Sequence, residues 1–209
     1  MIIAVGGHSR NIGKTAVLCG IIAGLPELAW TAVKLTQYGH GLCSRPGHPC
    51  QCFDPRQPVA ISEQTFPDPK TDSGRYLLAG ARRAFWLRTP MGRLAEAMPG
   101  FREIVASSAN LIVESNSLLG LLRPDFFAMV VDGAVADFKP SSVRFFDRAS
   151  IIVPTSEAPF AWPEVPAKLI NSRPIEPALA PAYHSDALIK IIKAQYLKSA
   201  VVSSDQTAG

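Results

Sequence analysis

Short apolar runs alternate along the chain with longer stretches in which apolar residues recur every third or fourth position. The short runs, at 2–5, 31–35, 84–87, 110–114, 126–132, 150–153 and 168–170, are bounded by Gly, Pro, Asn, Asp and Ser and predict strands. The longer stretches predict helices at 14–25, an unbroken apolar run, and at about 73–83, about 91–98 and 186–198. The last of these carries Leu188, Ile189, Ile192 and Tyr196 at helical spacing. Strands that alternate with helices argue for an α/β fold with a mainly parallel sheet and helices on both faces. The stretch 154–181 is proline-rich and is expected to loop around the sheet edge, and the residues from Ser199 read as a frayed tail. One domain over 1–198 with a flexible tail at 199–209 follows, and no internal repeat interrupts it.

The first apolar run passes straight into Gly6-Gly7-His8-Ser9-Arg10-Asn11-Ile12-Gly13-Lys14-Thr15, and then into an apolar helix ended by Pro26. A strand, a glycine loop and a helix opening on Gly-Lys-Thr form a binding site for nucleotide phosphates. Backbone N–H groups of the loop and of the first helical turn, around Asn11, Ile12, Gly13 and Ala16, converge on the anion, and the helix terminus carries about half a positive charge toward it. Lys14 is placed to reach the β- and γ-phosphates, and the Thr15 hydroxyl to join the shell of a Mg²⁺ ion. Five residues separate Gly7 from Gly13, one more than the usual spacing. The competing reading is a plain glycine turn with a coincidental Lys-Thr.

Composition changes this picture little. The 209 residues, 47% hydrophobic and 18% charged, suit one compact globular domain. Twenty-one basic residues against 17 acidic give a net charge of +4, and Arg82-Arg83 is the one adjacent basic pair, so no polybasic tract points to nucleic acid or to a membrane surface. The first apolar residues are needed as a strand and no basic leader precedes them, which predicts a cytoplasmic protein without a membrane span.

The segment 38–56 stands apart, because it gathers Cys43, Cys50, Cys52, His40 and His48 among glycines and prolines. Such a loop is poorly suited to bury thiols in a core, and a cytoplasmic chain seldom uses structural disulfides. Cys43, Cys50 and Cys52 with His48 or His40 would supply three thiolates and an imidazole, a donor set for Zn²⁺ or an iron–sulfur cluster. A reduced thiol cluster and an ordinary loop are the alternatives. Cys19, on the apolar run of the first helix, reads as core.

Other candidates follow from position. Glu114 ends an apolar strand at the edge expected to hold the glycine loop, where it could coordinate Mg²⁺ or orient an attacking group, or simply face solvent. Lys34 comes late in the second strand and could be directed at the phosphates or sit as an edge charge. Asp132 could read a base or end its strand, and Arg75 could meet an anion or lie on the surface. Asn171 could contact a purine edge through its amide, or belong to a plain turn.

The longer loop spacing and its place at the start of the chain resemble the dethiobiotin-synthetase branch of the P-loop NTPase fold, a three-layer α/β architecture. Lys34 within Val33–His40, then Lys70-Thr71-Asp72-Ser73-Gly74-Arg75, Ala79-Gly80-Ala81 and Ile112-Val113-Glu114 follow in the order seen in the molybdopterin-guanine dinucleotide biosynthesis B-type family, which looks similar over about the first 135 residues. The chain departs from that family where it reads Lys34-Leu35-Thr36-Gln37-Tyr38 and Ser115-Asn116. The resemblance implies a Mg²⁺-dependent ATP- or GTP-binding protein, adds Asp72 as a Mg²⁺ or ligand contact beside its other reading as a helix N-cap, and implies a homodimer. The apolar run 117–122 could form that contact or a core helix. Two functions then stand side by side. One is a nucleotide-hydrolysing protein linked to metal or molybdenum-cofactor metabolism, with a small anionic ligand or cofactor precursor as partner. The other is an ATP-dependent small-molecule ligase or kinase.

Overall fold

The computed structural model describes residues 1–39, 56–160, 162, 163 and 165–206. Its strands are β1 (Ile2–Gly7), β2 (Thr31–Tyr38), β3 (Ala60–Gln64), β4 (Arg83–Pro90), β5 (Leu111–Glu114), β6 (Phe126–Val131) and β7 (Ile151–Pro154). They form one seven-stranded sheet in the order β3-β4-β2-β5-β1-β6-β7. Every pairing is parallel except that of the edge strand β3 with β4. The helices are α1 (Lys14–Gly24), α2 (Asp72–Leu78), α3 (Met98–Ala106), α4 (Pro140–Phe145), α5 (Ala167–Asn171) and α6 (Asp186–Gln206).

Strand alternation explains the layering. Ile3 and Val5 of β1 join a core with Leu18 and Ile21 of α1, Tyr76 of α2 and Leu188 and Ile192 of α6. Ala4, between them, faces the opposite side and packs with Phe127, Phe145 and Phe146. Val33 and Leu35 of β2 meet Phe101 and Ile104 of α3 on that same opposite side. Successive positions therefore enter different cores, and helices cover both faces of the sheet.

Several elements differ from expectation. Residues 168–170 lie in α5 and not in a strand, because the place beside β7 is taken by the extended run after them: Ile152 N–H donates to Pro174 O at 2.9 Å and Ala178 N–H to Pro154 O at 2.8 Å. Strand β3 escapes a hydrophobic reading because Ser62 and Glu63 are exposed on a sheet edge, where polar residues are tolerated. The helix expected at 91–98 is a short 3-10 turn at Leu94–Ala97, and α3 proper begins at Met98, with Pro99 in its first turn. Helix α6 continues beyond residue 198 to Gln206. Leu118 and Leu119 are buried in the protein's own cores, which is the second of the two readings of the run 117–122. Among the described residues no helix is long and apolar enough to cross a membrane.

Candidate functional site

The parallel strands deliver their carboxyl ends to one edge, where β1 runs into the glycine loop and β5 ends at Glu114, paired in register with Val5 and Lys34. This is the edge at which open α/β sheets bind ligands. Gly13 precedes α1 with φ 86°, in the left-handed region that favours glycine, and supplies no side chain to cap the helix. The N–H groups of Lys14, Thr15 and Ala16 belong to the first turn, where a helix has no internal acceptor for them. Their donors therefore open onto the loop.

The loop is held from outside at both ends. Gly7 N–H donates to Asn116 Oδ1 at 2.9 Å, and Asn116 Nδ2 donates back to Gly7 O at 2.9 Å. The Ser142 hydroxyl also donates to Gly7 O, at 2.8 Å. Further along, Ser9 Oγ donates to Asp137 at 2.6 Å, Lys139 N–H to His8 O at 2.8 Å, and Thr155 Oγ1 to Ile12 O at 3.0 Å. Gly6 must be glycine for space: a Cβ there would lie 2.1 Å from Asn116 Oδ1. Lys14 curls back so that its Nζ donates to Ser9 O at 2.5 Å.

Beside the helix start lies a buried charge network. Glu114 is only 4% exposed, so it is not a strand-end carboxylate in solvent. Its Oε2 accepts from Thr15 Oγ1 and from the Tyr76 hydroxyl, each at 2.7 Å, and its Oε1 meets Lys34 Nζ at 2.5 Å. Lys34 Nζ also pairs with Asp72 at 2.9 Å. Burial pushes the Glu114 carboxyl upward, but the Lys34 ammonium and the bonds from Lys34 and Tyr76 outweigh it and hold the group down at about 2. For Lys34, burial likewise opposes the charge, and the two carboxylates raise its pKa in spite of it. Lys34 thus bridges the Glu114 and Asp72 carboxylates.

The cations nearer the loop are in the opposite condition. Burial brings Lys14 down to about 8, with Lys34 adding to the effect against the pull of Glu114. Lys139 is also brought down to about 8, by burial and then by Lys14 and Arg10. In both, burial is the leading cause and outweighs the pull of the nearby carboxylates. His8, fully buried under the loop, donates Nε2–H to Val135 O at 3.1 Å, and its ring lies among those of Phe138 and Trp162, 5.1 Å and 4.7 Å away. Burial lowers its pKa.

The structure brings together Gly7, Asn11, Ile12, Gly13, Lys14, Thr15, Ala16, Lys34, Asp72 and Glu114 as expected of one site, with some roles changed. Asp72 is not the N-cap of α2: Thr71 is, its hydroxyl accepting from Gly74 N–H at 3.1 Å, which frees Asp72 for Lys34. Asp132 ends its strand, accepting from Ala134 N–H at 3.0 Å and Ser156 Oγ at 2.5 Å. Arg75 lies 3.8 Å from Asp72 and is partly exposed. Asn171 is not part of the site. It ends α5 just before Arg173, whose guanidinium bonds Asp147 O ahead of β7, so it sits toward the amino edge of the sheet, away from the glycine loop. Cys43, His48, Cys50 and Cys52, with His40, lie outside the described residues. Residues that the sequence did not point to are Tyr76, Asn116, Ser142, Asp137, Lys139 and Thr155.

No protein-family profile matches the chain, and no curated protein matches it.

Proposed function

We propose that this protein is a Mg²⁺-dependent nucleotide-binding protein of the P-loop type that binds and hydrolyses ATP or GTP. The observation that carries the reading is the pairing of open first-turn amides with Lys14 and Lys139, two half-buried cations that burial holds below their ordinary pKa, at a helix start. A polyphosphate would supply negative charge there. The Thr15 hydroxyl and the Glu114 and Asp72 carboxylates are hard oxygen donors within one hydrogen-bonded network, a set that fits Mg²⁺. Bound there with the nucleotide, Mg²⁺ would neutralise phosphate charge. Lys14 would leave Ser9 O to contact the phosphates, and Lys34 would hold the two carboxylates together. A Zn²⁺ or iron–sulfur site at Cys43, His48, Cys50 and Cys52 is carried by the clustered Cys and His donors of the sequence alone, and a link to metal or molybdenum-cofactor metabolism and a homodimer by the sequence resemblance alone.

One feature favours the second reading, a kinase or ligase acting on a small molecule. Beyond Lys34, the same face of the sheet carries Thr36, Trp86 and Arg88, all partly exposed, with Trp86 Nε1 donating to Thr36 at 3.0 Å and the Arg88 guanidinium 4.4 Å above the indole. That surface adjoins the network and could seat an acceptor.

The test is titration of Mg²⁺ with ATP and with GTP against wild type and Lys14→Ala, with circular dichroism as the control for folding. Wild type should bind at least one nucleotide, and the variant should lose about a hundredfold or more in affinity while keeping its spectrum, on the scale of two to three charge-assisted bonds. Equal affinity in the two proteins refutes the proposal. Turnover that rises only with an added acceptor selects the kinase or ligase reading.

A further inference from the structure

We propose that a cleft at the amino edge of the sheet is a second ligand site, one that takes a small organic anion with an apolar body. The cleft encloses about 620 Å³, within the range of small-molecule sites. It opens where β6 and β7 begin. Ile2 N–H donates to Asp125 Oδ2 at 2.7 Å and Ser150 N–H to Phe127 O at 2.8 Å, which fixes its walls to the start of the sheet. The glycine loop lies at the other end of β1, about 20 Å away for a strand of that length. This inference is independent of the nucleotide reading.

The lining divides by chemistry. Leu122 and Pro124, half-buried, supply the accessible apolar floor above the buried Leu119, Phe127 and Ala149, while Arg123, Arg148 and Arg173 line the walls. Among the described residues none of the three arginines forms an ion pair, although Asp125 and Asp147 line the same space.

Neutral contacts instead hold two of the arginines in place. Arg148 Nη1 donates to Leu119 O at 2.7 Å and its guanidinium lies 5.0 Å from the Phe145 ring; Arg173 Nη2 donates to Asp147 O. Arg173 Nε is buried without a hydrogen-bond partner. Backbone carbonyls orient these groups without neutralising them, and a buried N–H without an acceptor is costly to keep. Guanidinium groups so placed recognise planar or tetrahedral oxyanions such as carboxylate, sulfonate or phosphate. The apolar floor selects those attached to a hydrophobic body.

The probe is 1-anilinonaphthalene-8-sulfonate, an aromatic body bearing one sulfonate, followed by its fluorescence on the full chain. Wild type should bind one equivalent saturably, more weakly as salt rises. Arg123→Glu reverses an exposed charge that makes no bond among the described residues, so the fold should be kept, and it should weaken binding about tenfold, as expected for losing one charge-assisted contact. Lys14→Ala should leave the affinity unchanged, and sodium sulfate should displace the dye only at far higher concentration than the dye itself. Non-saturable binding, an Arg123→Glu affinity within about twofold of wild type, a signal lost in Lys14→Ala, or displacement by sulfate at matching concentration would each overturn the assignment.

Discussion

Tyr76→Phe removes one hydroxyl from the most buried part of the charge network, and the structure fixes what that should cost. The ring stays, so no side-chain-sized cavity opens. What is lost is the 2.7 Å bond to Glu114 Oε2, leaving that oxygen with Thr15 as its remaining donor. A hydrogen bond to a buried charged group contributes about 1.5–3 kcal/mol. Because Thr15 and Lys34 still serve the carboxylate, a loss near 2 kcal/mol is expected, or roughly 4–8 °C in Tm for a chain of this size. The acid limb makes the test specific. Glu114 is held at about 2, below its ordinary 4.5, so the stability it contributes is fully present above pH 4.5 and is lost as pH falls through about 2. Without Tyr76 the folded pKa moves up toward the ordinary value, so the gap between variant and wild type should be widest near neutral pH and shrink as pH falls below about 4. Urea unfolding followed by tryptophan fluorescence at several pH values reads both quantities. A loss under about 0.5 kcal/mol, or one that does not change with pH, would refute the account of the network.

Two further outcomes can be checked directly. At pH 8 Lys14 and Lys139, both near about 8, are each half protonated, so nucleotide binding should draw in about one proton in all and none near pH 6; calorimetry in buffers of different ionisation enthalpy measures it, and no uptake would separate the lysines from the ligand. Gly6→Ala places a Cβ 2.1 Å from Asn116 Oδ1 and 2.7 Å from Phe127, and should cost about 3 kcal/mol or more in denaturant unfolding, with a value under about 1 kcal/mol contradicting the packing.

The glycine loop was legible because its chemistry is local: strand, turn and helix start are consecutive, and Gly-Lys-Thr names the residues that matter. Glu114 and Lys34 could be placed from their positions in apolar strands, since parallel strands bring their carboxyl ends to one edge. Asp72 was harder, because Thr71 and Asp72 are both good caps and only the neighbouring Lys34 decides between them. Tyr76 follows Asp72 by one helical turn and shares its face, a spacing that could have suggested it. Asn116 stood in view as one of two departures from the family that the sequence resembles, yet its pairing with Gly7 spans 109 residues and no local pattern announces it. Lys139 and Asp137 sit in a stretch with no periodicity at all, and only the folded contacts with His8 and Ser9 give them a role. The strand expected at 168–170 failed for a related reason: three apolar-flanked residues after a proline fit a short helix as well as a strand, and the pairing beside β7 went to the next segment.

The clamps on the glycine loop also bear on how a ligand would be received. Fixing a free backbone costs on the order of 1–2 kcal/mol per residue, a penalty that weakens binding when a loop orders around its ligand. Here Asn116, Ser142, Asp137, Lys139 and Thr155, drawn from four separate parts of the sequence, hold the loop through its own amides, carbonyls and hydroxyl. The ordering is completed when the chain folds, so arrival of an anion resembles filling a mould and not casting one. Association should then be fast, with little rearrangement of the loop backbone, and the selectivity of the site should follow its fixed shape more than the adaptability of its residues.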